Sequence, residues 1–111
     1  MITNSSYKRT RPAKFNDVQS ILEILRSPVQ HAAVVLRTAS YIEQQIDNYL
    51  VFCVDEDVVG CCEIISFSDG SAAEITSLAV EKLYRNHGIG SELIQVTQKK
   101  FAQTVANLHL P

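Results

Sequence analysis

Apolar positions recur along this chain with two different periods, and the switches between them outline its elements. Val18, Ile21, Leu22 and Leu25 fall at i, i+3, i+4 and i+7, one face of a helix. That helix starts around Lys14 to Asp17, with Asn16 or Asp17 in its first turn, where a carboxylate complements the helix dipole. Ser27-Pro28 ends it. Ahead of it, residues 1–6 read as a frayed terminus and Tyr7–Arg11 as an exposed edge strand whose charges protect it, closed by Pro12. Residues 28–37 form a loop with an apolar tract, Ala32 to Leu36, and Arg37 at its end. Thr38 then caps a second short helix that carries Tyr41, Ile42 and Ile46.

The period changes at Tyr49. Tyr49–Val54 and Val58–Phe67 are nearly continuous apolar runs joined by Asp55-Glu56-Asp57, which predicts an antiparallel pair of buried strands. Ser68-Asp69-Gly70-Ser71 closes a second hairpin into a strand containing Ile75, Leu78 and Val80. Beyond it, Leu93, Thr97, Phe101 and Val105 make an i, i+4 stripe, with Gln95, Gln98, Lys99 and Gln103 off it. The order is β-α-α-β-β-β-α, with Val105 to Leu110 the place for a further strand. This is an α/β chain of the α+β type, a mixed, mostly antiparallel sheet flanked by helices.

Composition narrows the class. A chain of 111 residues is one domain of ordinary size, 1–111, with 46% hydrophobic and 20% charged residues. Ten basic against twelve acidic residues give a formal charge of −2, which argues against nucleic acid as a partner. No apolar run approaches the ~20 residues that span a bilayer, and the N-terminus has no apolar signal core. The expectation is a cytoplasmic protein without a membrane partner. Cys53, Cys61 and Cys62 sit inside strand-like runs as buried thiols, with Cys61 and Cys62 on opposite faces of one strand. His31, His87 and His109 are scattered and no CxxC spacing exists, so no metal is expected.

The chemistry concentrates between Glu74 and Ile94, a strand, a glycine-punctuated turn and a helix start. Gly88 and Gly90 allow positive φ and close approach of a ligand. A helix N-terminus preceded by free amides is a ready anion site, and a phosphorylated ligand is expected there. A P-loop is excluded, because no Gly-Lys-Ser/Thr follows the glycines.

Arg85-Asn86-His87-Gly88-Ile89-Gly90 fits (Arg/Gln)-x-x-Gly-x-(Gly/Ala), and so resembles the acyl-CoA pyrophosphate signature of the GNAT N-acyltransferase superfamily. Leu78-Ala79-Val80 ahead of it and Arg11-Pro12-Ala13-Lys14-Phe15-Asn16-Asp17 at the first helix resemble the family's pattern too. Within the superfamily the chain is most similar to the acetyltransferase domain of N-acetylglutamate synthases over about residues 7–106. The segments that carry this are Ile21–Leu25, Val35–Thr38, Ile46–Tyr49, Val59–Cys62 and Ala73–Ile75.

The resemblance implies acetyl-CoA as co-substrate and a small amine, glutamate foremost, as acceptor. The backbone of Leu78, Ala79 and Val80 would pair with the pantetheine arm. The amides of Asn86, His87, Gly88, Ile89, Gly90 and Ser91 would cradle the pyrophosphate, with Arg85 adding a charged contact. Glu74 aligns with a general-base glutamate, and Arg37 with the acceptor wall, where it would clamp a carboxylate. The bland readings stand beside these: a plain turn at the glycines, a solvent-facing Glu74, a solvated Arg37.

The pattern departs from the family after the last helix, where a further strand, a helix and two closing strands are expected and only seven residues follow. The domain reads as incomplete, its C-terminal half-sheet missing. A fragment, a natural truncation and a chain completed by another copy are all open, and the last two imply a homo-oligomer that covers the open sheet edge. The alternative to an enzyme is a non-catalytic acyl-CoA-binding or interaction module.

Overall fold

The computed structural model describes residues 2–3, 5–26, 37–66 and 72–108, with side chains to residue 102. Its elements are β1 (Lys8–Pro12), α1 (Val18–Arg26), α2 (Ala39–Gln44), β2 (Tyr49–Val54), β3 (Asp57–Ser66), β4 (Ala73–Val80) and α3 (Ile89–Leu108). Short 3-10 turns precede α1 at Phe15–Asp17 and β2 at Ile46–Asn48, and a third, Lys82–Tyr84, lies between β4 and α3. The four strands form one antiparallel sheet in the order β1-β2-β3-β4. The expected order holds up to α3. The place allotted to a further strand is instead helical, because α3 runs on through Val105 to Leu108. The loop at 28–36 and the hairpin at Ser68–Ser71 lie outside the described residues.

Helices cover both faces of the sheet, so the two central strands carry no alternation. All six residues of β2 are buried. One core joins Val18, Ile21, Leu22, Ile24 and Leu25 of α1 to Ile42 of α2 and to Tyr49, Val51, Cys53, Cys61 and Ala79 of the sheet. The other joins Leu50, Phe52, Val54, Val59 and Cys62 to Tyr84, Ile89 and Leu93. Cys61 and Cys62 therefore face opposite layers, as strand geometry requires, and all three thiols are free and buried. Burial pushes the Cys61 and Cys62 thiols up, which keeps them protonated. On α3, Leu93 and Thr97 are buried, and Thr97 returns its hydroxyl to the Leu93 carbonyl at 2.9 Å. Burying a leucine such as Leu93 contributes ~2 kcal/mol.

Two local devices fix the entry to α1. Arg11 donates from both terminal nitrogens to Asp17, at 2.7 and 3.0 Å. The Lys14 amide donates to the same carboxylate at 2.7 Å. Asp17 thus caps the turn and anchors β1 to α1, a larger part than a first-turn dipole contact. Burial opposes the charge on Asp17, but its bonds from Arg11 and Lys14 hold the carboxyl below its usual range.

Two pairings are irregular: β3 carries an extra residue, Val59, against β2, and β4 carries one against β3. Thr76 pairs with Glu63 and Ala79 with Cys61, so Ser77 and Leu78 together oppose Cys62. That is a β-bulge, and Ser77 takes φ +53° to make it. The bulge bends the end of β4 just where it leads toward α3.

Candidate functional site

Below that bulge the chain drops through Lys82–Tyr84 into α3, and the turn leaves a cleft. A cavity of about 380 Å³ is lined by Leu78, Ala79, Val80, Tyr84, Arg85, Asn86, Gly88, Ile89, Gly90 and Ser91. The structure therefore brings together nine of the ten residues singled out for cofactor binding and adds Tyr84, a buried ring in the floor. The exception is His87. It is exposed and faces a separate recess of about 290 Å³ with Lys8, Arg9, Thr10, Phe52, Gly88 and Glu92.

The backbone explains the cleft. Asn86 (φ +66°) and Gly88 (φ +78°) take left-handed conformations that turn the chain into α3. Sequence reading assigned such a φ to Gly90 and overlooked Asn86, whose side chain tolerates that region better than most. The helix starts at Ile89, directly after the first glycine, and Glu92 N–H donates to Gly88 C=O at 3.0 Å. Gly88 is the N-cap, and the amides of Ile89, Gly90 and Ser91 have no intrahelical acceptor. A Cβ built on Gly88 or Gly90 would meet no protein atom within 4 Å. Internal packing does not demand these glycines. They keep a surface bare on the side a ligand would occupy, with the positive end of a twenty-residue helix behind it.

Arg85 is held rather than loose. Its Nε donates to the Val80 carbonyl at 3.2 Å, which ties the turn to the end of β4. Gly60 explains how α3 sits so close. A Cβ there would lie 3.0 Å from Ile89 Cγ2 and 3.5 Å from Leu93 Cδ1, so the helix packs directly on the β3 backbone.

The other face of the sheet holds a polar cluster. Thr38 caps α2, accepting from Tyr41 N at 3.1 Å, and this sets Arg37 beside Tyr41. The Arg37 guanidinium stacks 4.3 Å from the Tyr41 ring centre. Its Nε lies 3.5 Å from Glu63 Oε1. Tyr41, Tyr49 and Thr76 all donate hydroxyls to that same carboxylate, which is fully buried. The bond to Glu63 pushes the Tyr41 phenol up, and burial pushes up that of Tyr49. Sequence reading picked out Arg37 but missed Glu63. One signal was available: a charge two residues after Cys61, in the middle of an otherwise apolar strand.

Glu74 is exposed and pairs with Ile65, on the same face of β4 as Thr76 and two residues from it. Among the described residues no group of three His, Cys, Asp or Glu could hold a metal, and no helix is long and apolar enough to cross a membrane.

A bulged strand, an arginine brace and bare glycines at a helix start define an α+β domain whose cleft suits an anion. Residues 17–109 match the model of the acetyltransferase (GNAT) family, and the chain belongs to that family. Among curated proteins it is similar to the amino-acid acetyltransferase of Azotobacter vinelandii, 27% identical over 95 residues, covering 86% of this chain and 22% of that protein. The same enzyme of Pasteurella multocida is 29% identical over 93 residues, covering 84% and 21%. The chain thus spans about a fifth of the length of these relatives. In fold it is similar to N-acetylglutamate synthase of Neisseria gonorrhoeae, solved with coenzyme A and N-acetyl-glutamate. That match has a TM-score of 0.80 and 22% identity, and covers 92% of this chain and 24% of the other. Diaminobutyrate acetyltransferase of Paenibacillus lautus, solved with its substrate and coenzyme A, matches with a TM-score of 0.70 at 14% identity, covering 82% and 56%.

Proposed function

We propose that this chain carries the acetyl-CoA site of an N-acetyltransferase acting on a small carboxylated amine, with L-glutamate the acceptor to test first. One observation carries the reading: Leu78–Val80, Arg85, Asn86 and Gly88–Ser91 converge on a single cleft whose glycines turn bare surface away from the protein. The cradle fits a diphosphate, since it offers main-chain donors, a helix dipole and no carboxylate in its lining. The neighbours solved with coenzyme A and an amino-acid ligand support the same assignment.

Each residue then has a task. The amides of Ile89, Gly90 and Ser91 hold the diphosphate, and Arg85 braces the turn that presents them. His87 contributes backbone only, since its side chain lies outside the cleft. The Leu78–Val80 edge aligns the pantetheine arm, and an amide beside the Ser77 bulge faces the thioester oxygen. Acetyl-CoA supplies an acyl carbon activated as a thioester. The acceptor must lose a proton to attack, because amines are mostly charged at neutral pH. Glu74 takes that proton, directly or through water, from a face of β4 that solvent reaches. Arg37 clamps the acceptor's carboxylate.

The far edge of β4 has no strand partner among the described residues. We propose that a second copy pairs with its Ala73–Thr76 half, leaving Leu78–Val80 to the pantetheine arm. A monomer by light scattering would refute this. Buried free thiols suit a reducing, cytoplasmic setting. The enzymatic reading is tested by calorimetry with acetyl-CoA, followed by a thiol-release screen across amino acids. Binding without thiol release from any of them would leave only an acyl-CoA-binding module.

A further inference from the structure

A fully buried carboxylate in the middle of a sheet needs a reason. Desolvating it costs several kcal/mol unless partners compensate, and an apolar side chain of similar volume would pack there at less cost. Glu63 has those partners. Oε2 accepts from Tyr41 Oη at 2.5 Å, while Oε1 accepts from Tyr49 Oη at 3.3 Å and Thr76 Oγ1 at 3.2 Å. Arg37 Nε lies 3.5 Å from Oε1 as an ion pair without a hydrogen bond. The three hydroxyl donors come from α2, β2 and β4, so one carboxylate of β3 ties three separate segments to its strand.

Its effect falls on Arg37. The guanidinium is fixed twice, in plane by the Tyr41 ring beneath it and in rotation by Glu63 beside Nε. Yet its side chain stays 24% exposed, whereas Glu63 is sealed off. With the Nε edge turned to Glu63, the two terminal nitrogens form the end of the fork that meets solvent, and none has a hydrogen-bond partner among the described residues. Thr76, the donor from β4, lies two residues from Glu74 and immediately before the Ser77–Leu78 bulge. The fixed guanidinium therefore belongs to the same side of β4 as the proposed base.

We infer that Glu63 is a positioning residue that sets acceptor specificity: it locks Arg37, stacked on Tyr41, so that the terminal nitrogens take an acceptor carboxylate end-on. Glu63 itself does not touch the acceptor, because every face of its carboxylate is buried and hydrogen-bonded. An unheld arginine would lose rotamer freedom with each ligand it bound. Fixing it beforehand removes that cost. This inference rests on the acetyltransferase reading for its acceptor but not for its geometry, and the test separates the two.

The experiment compares wild type, Glu63→Gln, Arg37→Ala and Asp17→Asn, the last a control that breaks a different part-buried ion pair of the fold. Three quantities are read: the acetyl-CoA Kd, the KM and kcat for L-glutamate by thiol release, and the ¹⁵N resonance of Arg37 Nε–H during L-glutamate titration. Glu63→Gln is expected to leave the acetyl-CoA Kd within about twofold while KM rises at least about tenfold and kcat stays within about threefold. The Arg37 Nε–H response to L-glutamate should be present in wild type and lost in Glu63→Gln. Asp17→Asn should lower the melting temperature without moving KM. Should Glu63→Gln not fold, Tyr41→Phe, which keeps the ring and loses the hydroxyl, is expected to raise KM in the same sense. An unchanged KM in Glu63→Gln beside a raised one in Arg37→Ala would overturn the proposal, as would an equal rise in Asp17→Asn. Wild type that shows the Arg37 response but no turnover would sink the enzymatic reading and leave the positioning role standing. Neither response nor turnover would overturn both.

Discussion

A side chain at Gly60 would crowd Ile89: the Cβ position lies 3.0 Å from the isoleucine Cγ2. Strand β3 and the first residue of α3 are thus in backbone-to-side-chain contact, and the glycine sets the height of the helix over the sheet. Replacing it pushes directly on the turn that presents the free amides. Gly60→Ala is expected to destabilise by about 1–3 kcal/mol, the usual cost of overpacking, and to weaken acetyl-CoA binding as well. Urea midpoints and calorimetry read the two effects. A variant as stable as wild type would show that the helix has room to move.

Acid should unfold this chain through Asp17. Its folded-state pKa is lowered, so the stability it contributes is present above the unfolded value near 3.8 and disappears as pH falls through the folded one. Asp17→Asn should cost about 2 kcal/mol at neutral pH, the scale of a lost charged hydrogen bond. Its stability should also be flatter than wild type below pH ~4. Parallel stability-against-pH curves for the two proteins would contradict the assignment.

At the alkaline end the tyrosines act with the opposite sign. The phenols of Tyr41 and Tyr49 are raised in the fold, so their contribution is complete below pH ~10 and is lost as pH climbs through the folded values. Tyr49→Phe, at a neutral-pH cost of about 1 kcal/mol, should lose less stability than wild type between about pH 9 and 11. Urea midpoints across that range check it. Equal alkaline losses would mean that burial of the phenol is not what matters.

Glu74→Gln should lower kcat by about a hundredfold or more, the range for removing a general base, while acetyl-CoA binding stays as it was. The pH profile distinguishes the cause. A lost base removes the acid limb of kcat/KM, and a merely structural glutamate would leave that limb in place. Full activity in Glu74→Gln would move attention to another proton acceptor.

Much of this was legible in the residues, for physical reasons that can be named. Val18, Ile21, Leu22 and Leu25 carry a helical period because α1 has one buried face. Tyr49–Val54 carries none because both of its faces are covered. The cleft at Leu78–Ser91 showed itself through glycines whose side-chain space nothing else uses. What stayed hidden was relational. Glu63 meets Tyr41, Tyr49 and Thr76 only once three separate segments have packed, and no local pattern records that meeting. The Ser77 bulge likewise depends on the register between β3 and β4. The end of α3 was misjudged because Val105 to Leu110 is apolar enough for either period, and the helix simply continues.

Gly90 offers the most direct test. A Cβ there meets no protein atom within 4 Å, and a glutamate's charge suits a helix N-terminus, so Gly90→Glu should melt no lower than wild type. It would nevertheless place a carboxylate where the diphosphate is to sit. Calorimetric titration of wild type with acetyl-CoA is predicted to give saturable one-to-one binding with a Kd below about 1 mM, and Gly90→Glu to lose at least about tenfold in affinity. A folded wild-type chain that takes up no acetyl-CoA, or a Gly90→Glu variant that binds it equally well, would contradict the account.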